Sequence, residues 1–296
     1  MIKNRAYSSF TRHGNKLIAN HDVGEYMTKI QPGIYTPHID TQRGIFWFQD
    51  SNVLSDEILN LPSREYKQVV REMNTFLTPE KRQMFQDHGY VYKRSALLHG
   101  APGTGKTCIV QRLVRDVIDR QGIVLYIDDP RVLEYAYSVL QDVSPNTFTL
   151  VVFEEFDRMA ERYETVLLSL LDGEVQKDNV IYLATTNYIE KIPARLRRPG
   201  RFSSVIEVRY PNKAARQYYL NAKLKDKSLV KSLTAKTKGL SIDELKEVIQ
   251  ASVILDQELE YVLNRIKANR DIGEPADEDY DEFEGTDFEA SESQAN

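Results

Sequence analysis

The chain has 296 residues, a net charge of −5, one cysteine, and ordinary hydrophobic (41%) and charged (28%) content, enough for one large or two modest domains with a real core. It has no run of about 18 apolar residues, so no membrane insertion is expected, and the polar start Met1-Ile2-Lys3-Asn4-Arg5 does not lead into the apolar core of a secretory leader. A lone cysteine cannot close an intrachain disulfide, which suits a reducing cytoplasm.

Charge is unevenly spread. Residues 271–296 carry eleven acids and no Lys or Arg, leaving 39 basic against 33 acidic residues in the rest. A mildly basic body permits nucleic-acid contact without arguing for it.

Residues 1–30 are polar, weakly patterned and left unassigned. Gly33 to Ile39 and Gly44 to Phe48 are aromatic and β-branched runs around a polar turn, a hairpin signature. Such a hairpin is marginal alone and needs a body to pack on; Trp47 is read as core. Ser55 or Asp56 can cap a short helix that Pro62 ends. From Ser63, the series Tyr66, Val69, Val70, Met73, Phe76 and Leu77 has helical spacing, and Pro79 opens a second helix that Gly89 ends.

The stretch with the clearest chemistry follows. An apolar run, Ser95 to His99, leads into Gly100-Ala101-Pro102-Gly103-Thr104-Gly105-Lys106-Thr107 and then a helical pattern from Cys108 to Val114. Strand, glycine-rich loop and helix are the context a phosphate loop requires. Glycines let the backbone curl so that its N–H groups face one cavity, and the helix N-terminus adds partial positive charge. Lys106 can reach the β- and γ-phosphates of ATP, and the Thr107 hydroxyl can ligate Mg2+. The plain alternative is a glycine-rich turn before a helix. Cys108 reads as a buried helix residue rather than a reactive thiol.

Beyond it, Ile123 to Ile127 is a buried strand, Asp128-Asp129-Pro130 a turn, and Val132 to Val143 a helix. Thr147 to Phe153 is a strand running into Glu154 and Glu155, expected beside the phosphate-loop strand. There Glu154 would hold the metal and Glu155 would polarise a water for attack on the γ-phosphorus; two solvated glutamates are the alternative. A helix from Arg158 to Leu171 closes at Asp172-Gly173. The strand from Val180 to Thr185 ends at Asn187, whose amide is either a turn residue or a group between water and phosphate. Arg195, Arg197, Arg198 and Arg201 bracket a Pro-Gly turn, either as a solvated basic loop or as a planar donor set for phosphate. Val205 to Val208 is a last short strand. Alternating strands and helices imply an α/β fold with a mostly parallel sheet covered on both faces.

After Tyr210-Pro211 the chain reads as all helical: Ala214 to Lys223, Leu229 to Lys236, and one helix from Ser241 to about Ala268, opened by a Ser241/Glu244 capping box. From Gly273, Asp, Glu, Gly and Ser dominate and disorder is expected. The expected organisation is an N-terminal extension with a hairpin (1–53), a P-loop ATPase domain (54–210), a helical lid (211–270) and an acidic tail (271–296).

Together these residues resemble the AAA+ ATPases, and the classical AAA clade in particular. GAPGTGKT is similar to its Walker A motif, LVVFEE to Walker B, ATTN to sensor 1, LRRPGRF to the arginine-finger box, and Gly239 to Leu245 to the start of the lid helix. Leu170-Leu171-Asp172-Gly173 with Thr185 to Tyr188 looks most like the subgroup of the mitochondrial Rieske-protein translocase and small phage and bacterial AAA proteins. The resemblance implies Mg-ATP hydrolysis at the subunit interfaces of a homo-oligomeric ring, with six subunits expected. Thr107 and Glu154 match metal positions, Glu155 the catalytic glutamate, Asn187 sensor 1, and Arg198 and Arg201 fingers acting in trans. Adenine would lie between Asp56 to Leu61 and the lid at Gly239 and Leu240. Three departures stand out: Glu154 replaces the usual aspartate, the segment Asp128 to Ser144 lacks a pore-loop signature, and the translocase's membrane segment is missing. Tyr135 and Tyr137 could substitute for that signature, although a helix face is the preferred reading. Three functions follow: a remodeller of a protein partner, a nucleic-acid motor or loader, and an ATP-gated scaffold with low turnover.

Overall fold

The computed structural model describes residues 9–13, 15–20, 29–51, 59, 61–172 and 177–271. The proposed helix start at Ser55 or Asp56, most of the adenine-side lead-in, Gly173 and the acidic tail beyond 271 lie outside the described residues. The chain divides into two compact units, Met1–Arg209 and Tyr210–Asn296.

Among its described residues the first unit has nine strands: β1 (Ser9–His13), β2 (Lys16–Asn20), β3 (Gly33–Asp40), β4 (Ile45–Asp50), β5 (Lys93–His99), β6 (Ile123–Tyr126), β7 (Thr149–Phe153), β8 (Val180–Thr186) and β9 (Ser204–Glu207). Their order across the sheet is β1-β2-β4-β3-β6-β7-β8-β5-β9. The strands from β3 to β9 run parallel, while β1, β2, β4 and β3 pair antiparallel. The hairpin read from residues 33–48 is therefore β3 and β4, and the body it needs is β6, which β3 joins with Tyr35 opposite Leu125. Residues 9–20, left unassigned above, add two more strands.

Period-two alternation sends successive side chains to opposite faces. Leu150 and Val152 of β7 face one apolar layer while Val151 and Phe153 face the other. The first layer is closed by α1 (Arg64–Phe76) and α3 (Lys106–Asp119) through Val69, Met73, Ile109 and Leu113. α2 (Pro79–Asp87) follows α1 and adds Phe85 at its margin. The second is closed by α4 (Leu133–Val143) and α5 (Phe156–Asp172) through Leu133, Tyr137, Leu140, Phe156 and Leu167. Tyr137 is buried in that layer and Tyr135 stands on the exposed face, as a helix face requires. Trp47, expected in the core, is instead half-buried: its ring stacks on His38 and lies under Lys16. Phe46 and Phe48 alternate with it and take the core positions.

One expected adjacency is corrected. β7, which ends in the paired glutamates, is not beside β5; β8 lies between them. Apolar composition gives strand existence but carries no information on lateral order.

The second unit holds α6 (Lys213–Lys223), α7 (Lys227–Lys236), α8 (Ile242–Ile249) and α9 (Leu259–Asp271). Side-chain oxygens of Asn212, Asp226 and Ser241 cap the first three, each satisfying N–H groups a helix start leaves unpaired. The single helix expected from Ser241 to Ala268 is two. A π-helical turn (Gln250–Ile254) follows α8, and Asp256 then adopts φ 52°. Leu255 N–H donates to Gln250 O and Gln257 N–H to Ala251 O, closing the break without glycine or proline.

Candidate active site

The phosphate loop leaves β5 at His99, whose carbonyl accepts from Val208 N–H at 2.7 Å. At Gly100 φ is 146°, and a Cβ there would meet Val208 O at 2.2 Å. Only glycine passes that close to the chain leaving β9. Gly103 and Gly105 also have positive φ, 75° and 103°, and Gly105 is the N-cap of α3. The loop thus curls with its following amides at a helix N-terminus, an anion-binding arrangement. Thr104 Oγ1 donates to Ala101 O at 3.0 Å, and Lys106 Nζ donates to Gly100 O and Ala101 O at 2.7 and 2.8 Å. Lys106 is buried, Thr107 and Pro102 are exposed, and Cys108 is half-buried rather than buried as expected. Burial holds the His99 imidazole below its ordinary range, with Glu207 opposing and Lys106 reinforcing.

At the end of β7 the backbone turns sharply. Glu155 adopts φ 49°, uncommon without glycine and a form of strain found at functional sites. Its Oε2 lies 2.6 Å from Arg158 Nη1, with both side chains largely exposed, so the pair is weak and exchangeable. Glu154 stands in a cleft of about 290 Å3 that also involves Asp128, Arg158, Arg162 and Tyr163. Desolvation within the cleft raises its carboxyl above the usual range although the residue is exposed overall, and the neighbouring Glu155 and Asp128 charges add to that. Asp128, which sequence reasoning treated only as a turn residue, is thus a third acid at this edge.

Asn187 is exposed just beyond β8. Register sets the three strand ends close to level: His99 pairs with Thr186 and Phe153 with Ala184. Two inter-strand spacings separate β5 from β7, roughly 10 Å, with Asn187 on the strand between them. Asp157, in the first turn of α5, was not singled out from the sequence. Its buried carboxylate accepts from Thr186 Oγ1 at 2.6 Å, and Thr186 Oγ1 accepts from Tyr188 N–H at 3.0 Å.

The four arginines part company. Arg195 binds Glu164 through two nitrogens. Arg197 Nε is buried with no hydrogen-bond partner among the described residues. Arg201 lies 3.1 Å from Asp172 and donates to Arg195 O. Arg198 is exposed; its carbonyl accepts from Arg201 and Phe202 N–H, but its side chain makes no hydrogen bond or ion pair among the described residues. The two expected fingers therefore differ: one is free and one is held at the end of α5.

Within the second unit, Gly239 has φ 76° and Leu240 is buried. Arg270 Nη2 donates to Gly239 O at 2.7 Å and contacts Glu244. The capping box is formed: Ser241 N–H donates to Glu244 Oε2 at 2.6 Å and Glu244 N–H to Ser241 Oγ at 3.2 Å. Burial pushes the Glu244 carboxyl up, but the Arg270 guanidinium and the Ser241 amide bring it below its usual range.

No group of three or more His, Cys, Asp or Glu among the described residues is arranged to hold a metal ion. The donors fit Mg2+ in another way. An exposed hydroxyl at Thr107 and a carboxylate at Glu154, its charge penalised by its neighbours, suit an octahedral ion that takes its other ligands from phosphate and water.

Residues 96–210 match the model of the ATPase family associated with various cellular activities (AAA). The chain is 28% identical over 209 residues to the cell division cycle protein 48 homolog of Archaeoglobus fulgidus, covering 64% of this chain and 27% of that protein. It is 25% identical over 261 residues to a proteasome-activating nucleotidase of Aeropyrum pernix, covering 79% and 61%. A 152-residue match at 30% identity relates it to the human ATPase family gene 2 protein homolog A, covering 44% and 17%. The chain spans from under a fifth to about three fifths of these relatives' lengths. No helix of the described residues is long and apolar enough to cross a membrane.

Proposed function

We propose that this protein hydrolyses ATP with Mg2+ in a homo-oligomeric ring, a hexamer, and couples hydrolysis to remodelling a protein partner. One observation carries the reading: a phosphate loop, paired glutamates and an exposed amide emerge at nearly one level from the carboxyl ends of parallel strands, where ligands bind in open α/β sheets. Gly100, Pro102, Gly103, Thr104, Gly105, Lys106, Thr107 and Cys108 cradle the triphosphate, with Lys106 moving from its loop carbonyls to the phosphates. Thr107 and Glu154 hold Mg2+, which when bound neutralises phosphate charge. Glu155 accepts a proton from the attacking water as its ion pair with Arg158 opens. Asn187 orients that water.

Arg198 is the finger offered to the adjoining copy, since it is exposed and uncommitted. Arg201 joins it once released from Asp172. The protein partner is supported by a relative whose name joins a nucleotidase to proteasome activation. Within the family, Leu170 to Asp172 and Thr185 to Tyr188 favour the Rieske-translocase subgroup and its small phage and bacterial relatives, without the translocase's membrane task.

The test is ATP turnover with and without Mg2+. Arg198→Ala should retain ATP binding and lose turnover by about a thousandfold. Mixing it with Glu155→Gln should restore part of the rate, because each mutant supplies what the other lacks. An inert wild type overturns the ATPase reading; full activity of Arg198→Ala, or no recovery in mixtures, overturns action in trans.

A further inference from the structure

We infer that Asp157 is a positioning residue that, through Thr186, fixes the sensor amide of Asn187 against the strand end that bears Glu155. The inference rests on the ATPase reading and adds a group that reading does not contain.

Asp157 lies two residues after Glu155, where the chain has just left its left-handed turn and entered α5. A carboxylate in the first turn of a helix is favoured by the helix dipole, and that alone would suit a solvated surface acid. This one is buried, at 8% exposure, against a Thr186 that is 2% exposed. Burying a carboxylate is unfavourable unless its hydrogen bonds are met, and Thr186 Oγ1 meets one of them at 2.6 Å. The hydroxyl is used twice: it donates to Asp157 and accepts from Tyr188 N–H at 3.0 Å. Residues 186 and 188 are thus both tied down, and Asn187, exposed between them, is left little freedom. The contact crosses from α5 to β8, whose end lies between those of β5 and β7.

Neither group touches the reacting atoms in the proposed chemistry, so the expected signature is a loss in kcat with nucleotide affinity kept. A misplacement of about 1 Å at a reacting geometry lowers rate by about a hundredfold. Thr186→Val removes the hydroxyl at nearly constant volume and should lower kcat by ~10- to 100-fold. Its dissociation constant for a fluorescent ATP analogue should change less than about threefold, because the phosphate loop is untouched. Thr186→Ser should recover most of the rate. Asp157→Ala should resemble Thr186→Val, and the double variant should be no slower than the slower single, because both break one contact. Amide exchange at Tyr188 should accelerate in Thr186→Val and return to the wild-type rate in Thr186→Ser.

Three results would overturn the positioning role while leaving the ATPase reading standing: an active wild type with Thr186→Val equal to it in kcat, unchanged exchange at Tyr188, or additive losses in the double variant. A wild type without turnover would instead show that the ATPase reading itself is at fault. Thr186→Ser guards against a trivial folding defect, since it retains the hydroxyl and loses only a methyl group.

Discussion

Two turns at the carboxyl edge of the same sheet reach the left-handed region by opposite means. After β5 the chain uses glycine, at Gly100, Gly103 and Gly105; after β7 it uses Glu155 at φ 49°. At the first turn the side chain is what had to go, because Val208 O stands 2.2 Å from where a Cβ of Gly100 would sit and, on the proposed reading, backbone amides would bind the phosphates. At the second the side chain is what had to stay, and the backbone accepts strain of about 1–3 kcal/mol to present it. Glycine therefore marks where the main chain acts, and a strained acid marks where the carboxylate acts.

The largest expected effect separates these two roles directly. Glu155→Gln should reduce turnover by about a hundred- to ten-thousandfold while ATP binding, measured by titration of a fluorescent analogue, remains. Gly100→Ala should act on the fold instead: a Cβ against a backbone carbonyl cannot be relieved by a rotamer change. A loss of about 2–3 kcal/mol in urea unfolding is expected, with binding lost as well. Glu155→Gly sharpens the contrast from the other side. It should raise stability by up to about 1 kcal/mol by removing the strain while abolishing turnover, and a loss of stability would show that the turn is not strained.

The smallest effect belongs to a helix start in the second unit. Glu244 keeps its carboxyl below the usual range through Arg270 and the Ser241 amide. A lowered acid contributes stability above its unfolded pKa and loses it as pH falls through the folded one. Glu244→Gln should thus lower the stability of the helical unit by about 1 kcal/mol near pH 7. The gap from wild type should close below about pH 4, which thermal melts across that range would read.

Legibility in the sequence followed the range of the physics involved. The phosphate loop, the capped helices and the β3–β4 hairpin are written in contiguous residues and could be read there. The Ser241 cap needs only three residues to declare itself. Lateral strand order could not be read, because β8 and β7 are equally apolar and nothing in either says which one β5 will meet. The strands at 9–20 were missed because Ser9 to His13 is mostly polar and offers no clear alternation. The break after α8 was missed because Leu255-Asp256-Gln257 contains neither of the usual breakers. Within the site, Glu155 and Asn187 were conspicuous at strand ends, whereas Asp157 looked like any acid opening a helix. Its burial against Thr186, 29 positions away, exists only once the sheet is assembled. The difference between Arg198 and Arg201 is of the same kind, since it depends on where the end of α5 falls.

The parallel pairing of β3 with β6 has a consequence for how other chains could be recruited. It caps the backbone edge that β6 would otherwise offer, and places three further strands outside it. From β6 out to β1 there are four inter-strand spacings, roughly 19 Å. Among the described residues β1 is the outermost strand on that flank, so a segment recruited there by strand addition would zip onto β1, well clear of the glycine-rich loop after β5.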